Sequence, residues 1–399
     1  QVMQLAGWMQ AAGIGKGDRV AAYIPNIPEA IIAMLATATL GGIFSSCSPD
    51  FGLGGVSDRF GQIEPKLLIA CDGYDYTGKT FDRMTILRDL TTALPTVTHM
   101  LVIPFLDPAP DLTGLPQPTL FDAALQTAPP VSSFTPVNFN DPLYILYSSG
   151  TTGAPKCIVH GVGGVILKHI TEMRLHSDMG ADDRMLFFTT CGWMMWNWMA
   201  SGLMIGMPLV TYEGNPFHPG PQRLWDITEA EQLTHLGVSA KYIDAIRTAG
   251  YRPVDSNDLS HLRCLMSTGS PLSSDGFGFV YEAIRDDVQL CSMSGGTDIM
   301  GCFVLGCPVQ PVHAGEIQAR ALGLAVEVLD DDGQPATGKQ GELCCSRPFP
   351  SMPVKFWNDT DDRKYKAAYF EHYPGLWRHG DWATLTPRGG TIIHGRSDA

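Results

Sequence analysis

The 399-residue sequence is 44% hydrophobic, with a formal net charge of -14 and a pI near 5.1. That balance suits a globular chain with one large core or about two or three subdomains, and it excludes a general nucleic-acid or anionic-membrane surface. Anionic ligands must then be met by basic groups concentrated locally. The ten cysteines are scattered, with no CxxC pair and with Cys344 and Cys345 adjacent. This fits neither a zinc ribbon nor a disulfide framework and suggests reduced, buried thiols in a cytosol. Gln1 to Gln10 lack the pattern of a signal peptide.

Along the chain, apolar spacing predicts a helix from Val2 to Ala12, a strand from Arg19 to Ile24, a helix from Pro28 to Leu40 and a strand starting at Ile43-Phe44. Strands at Lys66 to Ala70 and His99 to Pro104, with a helix across Phe81 to Leu94, continue a βαβ rhythm. Prolines at 108, 110, 116, 118, 129, 130 and 136 then mark a boundary between subdomains, around a short helical piece at Leu120 to Leu125.

The next run, Pro142-Leu143-Tyr144-Ile145, reads as a buried strand and feeds the loop Ser148-Ser149-Gly150-Thr151-Thr152-Gly153-Ala154-Pro155-Lys156. Hydroxyls, two glycines that allow close backbone approach and a mobile lysine are the chemistry a polyphosphate needs. A surface turn of small polar residues is the plainer alternative. Pro155 between the last glycine and the lysine distinguishes this loop from a Walker A motif.

Further on, Met185 to Thr189, Leu209 to Tyr212, Thr234 to Ser239, Leu262 to Met266 and Val288 to Met293 read as strands, and Gln222 to Leu233, Lys241 to Ala249 and Ser274 to Arg285 as helices. The segment from Gly192 to Val210 has no charged residue, yet Asn197, Ser201, Gly206 and Pro208 interrupt it, so a buried helix followed by a strand is expected rather than a membrane span. After about Pro308 come short β runs and tight turns: Leu324 to Leu329, Gly341 to Ser346, and a hairpin of Trp377 to Thr386 with Gly390 to His394. The fold class is therefore α/β: two doubly wound α/β subdomains, 1–135 and 136–308, plus a small β-barrel subdomain, 309–399.

Three other polar, glycine-rich stretches follow apolar strands, where open α/β sheets place ligands: Ser267 to Leu272, Ser292 to Asp298, and Trp377 to Asp381 with Gly395 to Asp398. With the loop from Ser148 to Lys156, in this order and spacing, they resemble the adenylate-forming superfamily of acyl-CoA synthetases, adenylation domains and luciferases. Phe44 to Gly52, Gly192 to Trp198 and Ser294 to Asp298 narrow the likeness to its acetoacetate-activating CoA ligases.

The resemblance implies a site, residue by residue. Ser148, Ser149, Gly150, Thr151, Thr152 and Gly153 are similar to the phosphate loop, with Lys156 a mobile member. Gly269, Ser270 and Pro271 fall where adenine is stacked, with Ser294, Gly295, Gly296 and Thr297 also toward the nucleotide. Asp298 stands where the family has a glutamate close to Mg²⁺, joined by Thr152. Asp381 resembles the ribose-binding acid and Arg396 the cation near ribose and phosphate, so Thr152, Asp298 and Arg396 lie nearest the chemistry. Trp193, Met194 and Trp196 are expected in the acyl pocket, where Ser239 and Lys241 are further candidates.

Each has a structural alternative: Asp381 as a turn residue, Arg396 as a solvated cation, Asp298 as a helix cap, the tryptophans as core and Lys241 as an exposed helix-start lysine. The implied activity is ligation of acetoacetate to CoA with ATP, through acetoacetyl-AMP and with Mg²⁺ as cofactor. An adenylation domain that loads a carrier protein, or a nucleotide-binding fragment without turnover, remain alternatives. By the same resemblance the chain covers the family's large N-terminal domain only. It ends near a hinge at Asp398, and the lysine for adenylation belongs to a C-terminal domain.

Overall fold

The structure is a computed structural model that describes residues 1–148 and 154–398. Its first sheet has eight strands in the order Lys355–Phe356, Lys156–Gly161, Pro142–Ser148, Ile43–Cys47, Arg19–Tyr23, Leu67–Cys71, His99–Ile103, Pro118–Leu120. The strands between Pro142–Ser148 and Pro118–Leu120 pair in parallel, while Lys156–Gly161 runs antiparallel to both its neighbours. Runs such as LLIAC are apolar throughout because helices cover both faces, so alternate residues enter different cores. Val20 and Ala22 pack in one hydrophobic cluster, and Ala21 and Tyr23 in another. Both strands that flank the serine- and threonine-rich loop thus belong to this sheet, although they follow residue 135.

A second sheet is parallel throughout, in the order Met185–Phe187, His235–Ser239, Cys264–Thr268, Gln289–Ser292. Beyond it the chain is antiparallel. Ser294–Gly296, Gly301–Leu305 and Ala319–Arg320 form one small sheet, and Val326–Leu329, Gln340–Cys345, Trp377–Leu385 and Thr391–Arg396 form another. A bridge between Ile317 and Thr391 joins the two.

Several local expectations are corrected. The helix predicted across Phe81 to Leu94 starts later, at Met84–Ala93, because Lys79–Asp82 is the return strand of a hairpin with Gly73–Tyr76. Thr77 and Gly78, both at positive φ, make its turn. The uncharged run folds into the helix Met194–Ala200 and a 3₁₀ turn Ser201–Ile205, and of the strand expected after it only Leu209 pairs, with Met185. Among the described residues no helix is long and apolar enough to cross a membrane. Unforeseen elements are the helices Leu53–Ile63, Val162–Thr171 and Arg363–Phe370, and the strand Lys156–Gly161.

Candidate functional site

The C-terminal edge of the second sheet opens on a cavity of about 410 Å³. Its wall includes all of residues 269–271 and 294–297, together with Trp193, Met194, Asp381 and Arg396. Segments far apart in the chain therefore share one cleft. Gly269 ends the strand Cys264–Thr268 at φ 85°, and a Cβ there would stand 3.8 Å from Trp193 Cζ2. The absent side chain leaves that wall open, and the tryptophan forms the adjoining one.

Not every candidate reaches the cavity. Trp196 is fully buried, stacks on Phe44 at 6.0 Å and donates its indole N–H to Asn26 Oδ1 at 3.0 Å, so it belongs to the core. Ser239 caps the helix Ala240–Thr248 by accepting from Tyr242 N at 3.1 Å, just behind the wall. Lys241 sits on the exposed face of that helix, whose buried face is Ala240, Tyr242, Ile243 and Ile246. It is therefore not on the cavity wall.

Ser148 and Lys156 are register partners where the hairpin opens; neither is on the cavity wall, and Lys156 is exposed with its ammonium 5.9 Å from the Phe356 ring. Ser149, Gly150, Thr151, Thr152 and Gly153 lie outside the described residues. The short helix Thr297–Ile299 packs against the strand Pro142–Ser148, which brings half-buried Asp298 near the strand that leads into that segment.

Asp381 and Arg396 face each other across an antiparallel pair, Arg396 Nη1 at 3.3 Å from Asp381 Oδ1. Burial pushes the Asp381 carboxyl above its usual pKa, opposed by His379, 3.6 Å away, and by Arg396. The other prongs of Arg396 grip Asp398, Nε to Oδ1 at 2.8 Å and Nη2 to Oδ2 at 2.5 Å. His379 Nε2 lies 3.4 Å from the Gly295 carbonyl, linking this strand to the stretch 294–297.

The backbone makes this possible by a bulge: Arg378 pairs with Cys344 and Trp382 with Glu342, so residues 379–381 stand opposite Leu343 alone. Gly380 adopts φ 89°, and a Cβ there would come within 2.8 Å of Arg396 Nη2. Glu342, buried at 3%, fixes the bulge by accepting from Gly380 N at 3.0 Å and from Ser397 Oγ at 2.7 Å, and it pairs with the charge of Arg378, whose Nε lies 3.0 Å from Oε2.

A second unforeseen group lies beneath the cavity. Lys168 and Glu172, one turn apart and almost wholly buried, are 3.0 Å apart. The ammonium donates to Cys302 O at 2.6 Å, while the carboxylate accepts from Cys302 N at 2.7 Å and from Trp198 Nε1 at 2.8 Å. The pair thus fastens the cavity-lining residues Gly301 and Cys302 to the tryptophan-rich helix. A Cβ at Gly301 would meet Glu172 Oε1 at 2.6 Å, so a larger residue there would displace the ion pair. Glu342, Lys168 and Glu172 had no signature in the sequence, because each acts on partners distant along the chain.

The AMP-binding enzyme family model matches residues 1–352. An acetoacetyl-coenzyme A synthetase of Rhizobium meliloti (strain 1021) is 54% identical over the full chain, which covers 61% of that protein, and an acetoacetyl-CoA synthetase of Mus musculus is 44% identical, with 60% of it covered. The solved structure of acetoacetyl-CoA synthetase from Streptomyces lividans superposes with a TM-score of 0.95 at 45% identity, covering 100% of this chain and 61% of that one. The chain spans about three fifths of the length of these relatives. With a family match across most of its length, the chain belongs to the AMP-binding enzyme family.

Proposed function

We propose that this chain is the nucleotide- and acid-binding part of an acid–thiol ligase that activates acetoacetate with ATP and passes it to CoA. The observation that carries the reading is the single cavity in which residues 269–271, 294–297, Asp381 and Arg396 meet Trp193 and Met194. A nucleotide held along the first group has its α-phosphate directed toward an acid seated against the second.

In the first step the acetoacetate carboxylate attacks the α-phosphate of ATP and pyrophosphate leaves; in the second the CoA thiol attacks the acyl carbon and AMP leaves. Both nucleophiles arrive with the substrates, so the protein's task is to align two anions and to offset their charge. Asp381 accepts from the ribose hydroxyls, and the open side of Gly269 admits the base. Arg396, held at the nucleotide by Asp381, draws charge from the phosphate, while Trp193, Met194 and Met195 exclude water around the acid.

Among the described residues no group of three or more potential ligands gathers to hold a metal. One available carboxylate, Asp298, fits Mg²⁺, which takes its remaining oxygens from phosphate and water. Bound there, the ion would supply charge neutralisation, with Thr152 as the second protein oxygen.

The test is exchange of labelled pyrophosphate into ATP in the whole protein, across a panel of short acids, followed by acceptor competition between CoA and a carrier protein. Acetoacetate driving exchange and CoA accepting the acyl group is the expected result. Absence of exchange with every acid leaves only a nucleotide-binding module, and transfer to the carrier alone identifies a loading domain.

Asp381→Asn separates binding from folding. Loss of a charged acceptor weakens AMP binding by about 1.5–3 kcal/mol, roughly ten- to a hundredfold in Kd by calorimetry. The unfolding midpoint stays in place or rises, because burial disfavours the native carboxylate. Undiminished AMP affinity contradicts the ribose role.

A further inference from the structure

The acid proposed for the metal is itself held from outside the cavity. The Tyr369 hydroxyl donates to Asp298 Oδ1 from the helix Arg363–Phe370, while Asp298 Oδ2 has no hydrogen-bond partner among the described residues. The phenol cannot swing. Tyr369 is 4% exposed, its ring lies on Trp377 at 3.7 Å and 14°, and Phe356 and Tyr365 pack on it edge-on at 5.7 and 5.3 Å.

A short aspartate side chain has two torsions and, unless tethered, samples several carboxylate directions. A fixed donor on one oxygen selects a direction and leaves the other oxygen to a hard cation, the arrangement by which outer residues set metal affinity. We infer that Tyr369 is a positioning residue for Asp298, orienting its free oxygen toward the divalent cation that accompanies ATP. This rests on the reading of Asp298 as a metal ligand. The inference explains how an acid one methylene shorter than the family's glutamate can serve: the tyrosine fixes the direction of the short arm.

The experiment uses Mn²⁺ with ATP, read by electron paramagnetic resonance on the whole protein, for wild type, Tyr369→Phe and Asp298→Asn. AMP binding without metal and the thermal midpoint are measured beside it. Phenylalanine keeps the ring stack, so both controls hold. The expected result is Mn²⁺ affinity for the ATP complex lowered about tenfold in Y369F, with a changed hyperfine pattern, and lowered at least as much in D298N. Weakening in D298N but not in Y369F overturns the positioning role alone. Unchanged Mn²⁺ binding in both variants overturns the metal assignment, and the positioning role with it.

Discussion

Lys168→Met is expected to lower the free energy of unfolding by about 3–5 kcal/mol, as loss of one member of a buried ion pair does. The lysine and Glu172 side chains are 3% and 1% exposed, and the ammonium is both counter-ion to the carboxylate and donor to the Cys302 carbonyl. Methionine fills the space but supplies neither, which leaves a carboxylate with only N–H donors and a buried carbonyl without a partner. Adding Glu172→Leu removes the stranded charge, so the double variant loses less than the two single effects combined. Urea unfolding of the four proteins measures the cycle. A single variant within about 1 kcal/mol of wild type would show that water reaches the pair.

The second large effect is acid instability that begins well above the carboxylate range. Burial lowers His160 to about 3 and His169 to about 4, against an ordinary 6.5. His169 bonds Met300 O and Ser201 Oγ, each at 2.7 Å, and His160 Nε2 has no partner among the described residues. Neither environment welcomes a second ring proton. Below pH 6.5 the unfolded chain binds protons that the native state refuses, so stability is whole above that pH and falls as pH drops, until the native pKa values are reached.

Two such groups give a slope approaching about 2.7 kcal/mol per pH unit and a loss of about 4 kcal/mol between pH 7.5 and 5. His176 and His235, also lowered by burial, add in the same sense. Asp381 and Glu213, raised by burial, oppose it only nearer the carboxylate range. Urea midpoints across pH 5–7.5 test this. His169→Gln should cut the slope of these two groups by about half, and a flat profile in the wild type rules the mechanism out.

Much of the architecture was legible because the parallel strands are continuous apolar runs: Arg19–Tyr23, Leu67–Cys71 and His99–Ile103 fell within a residue of expectation, and Cys264–Thr268 began two residues later than expected. The helix Val162–Thr171 was not, since Lys168, His169 and the following Glu172 and His176 look like a solvated face and are all buried. Arg363–Phe370 was missed for a different reason: its charged residues are exposed and Tyr369 alone is buried, too little for a periodic apolar signal. In the cavity, residues 269–271, 294–297, Asp381 and Arg396 were found from motif order and likeness. Trp196 was misplaced because neighbouring tryptophans on a short helix point in different directions, Trp193 to the cavity and Trp196 to the core. Glu342 and Tyr369 were out of reach, since a supporting residue leaves its mark only in three dimensions.

The kink at 379–381 has a consequence for how this chain tolerates change. Three residues stand where a regular ladder needs one, so only the removal of two of them would restore regular pairing with Gln340–Cys345, with Asp381 either lost or placed opposite Leu343. Such a protein would still melt cooperatively and pass a screen for solubility. The two additional residues thus serve the placement of Asp381 against Arg396 and not the pairing of the strands.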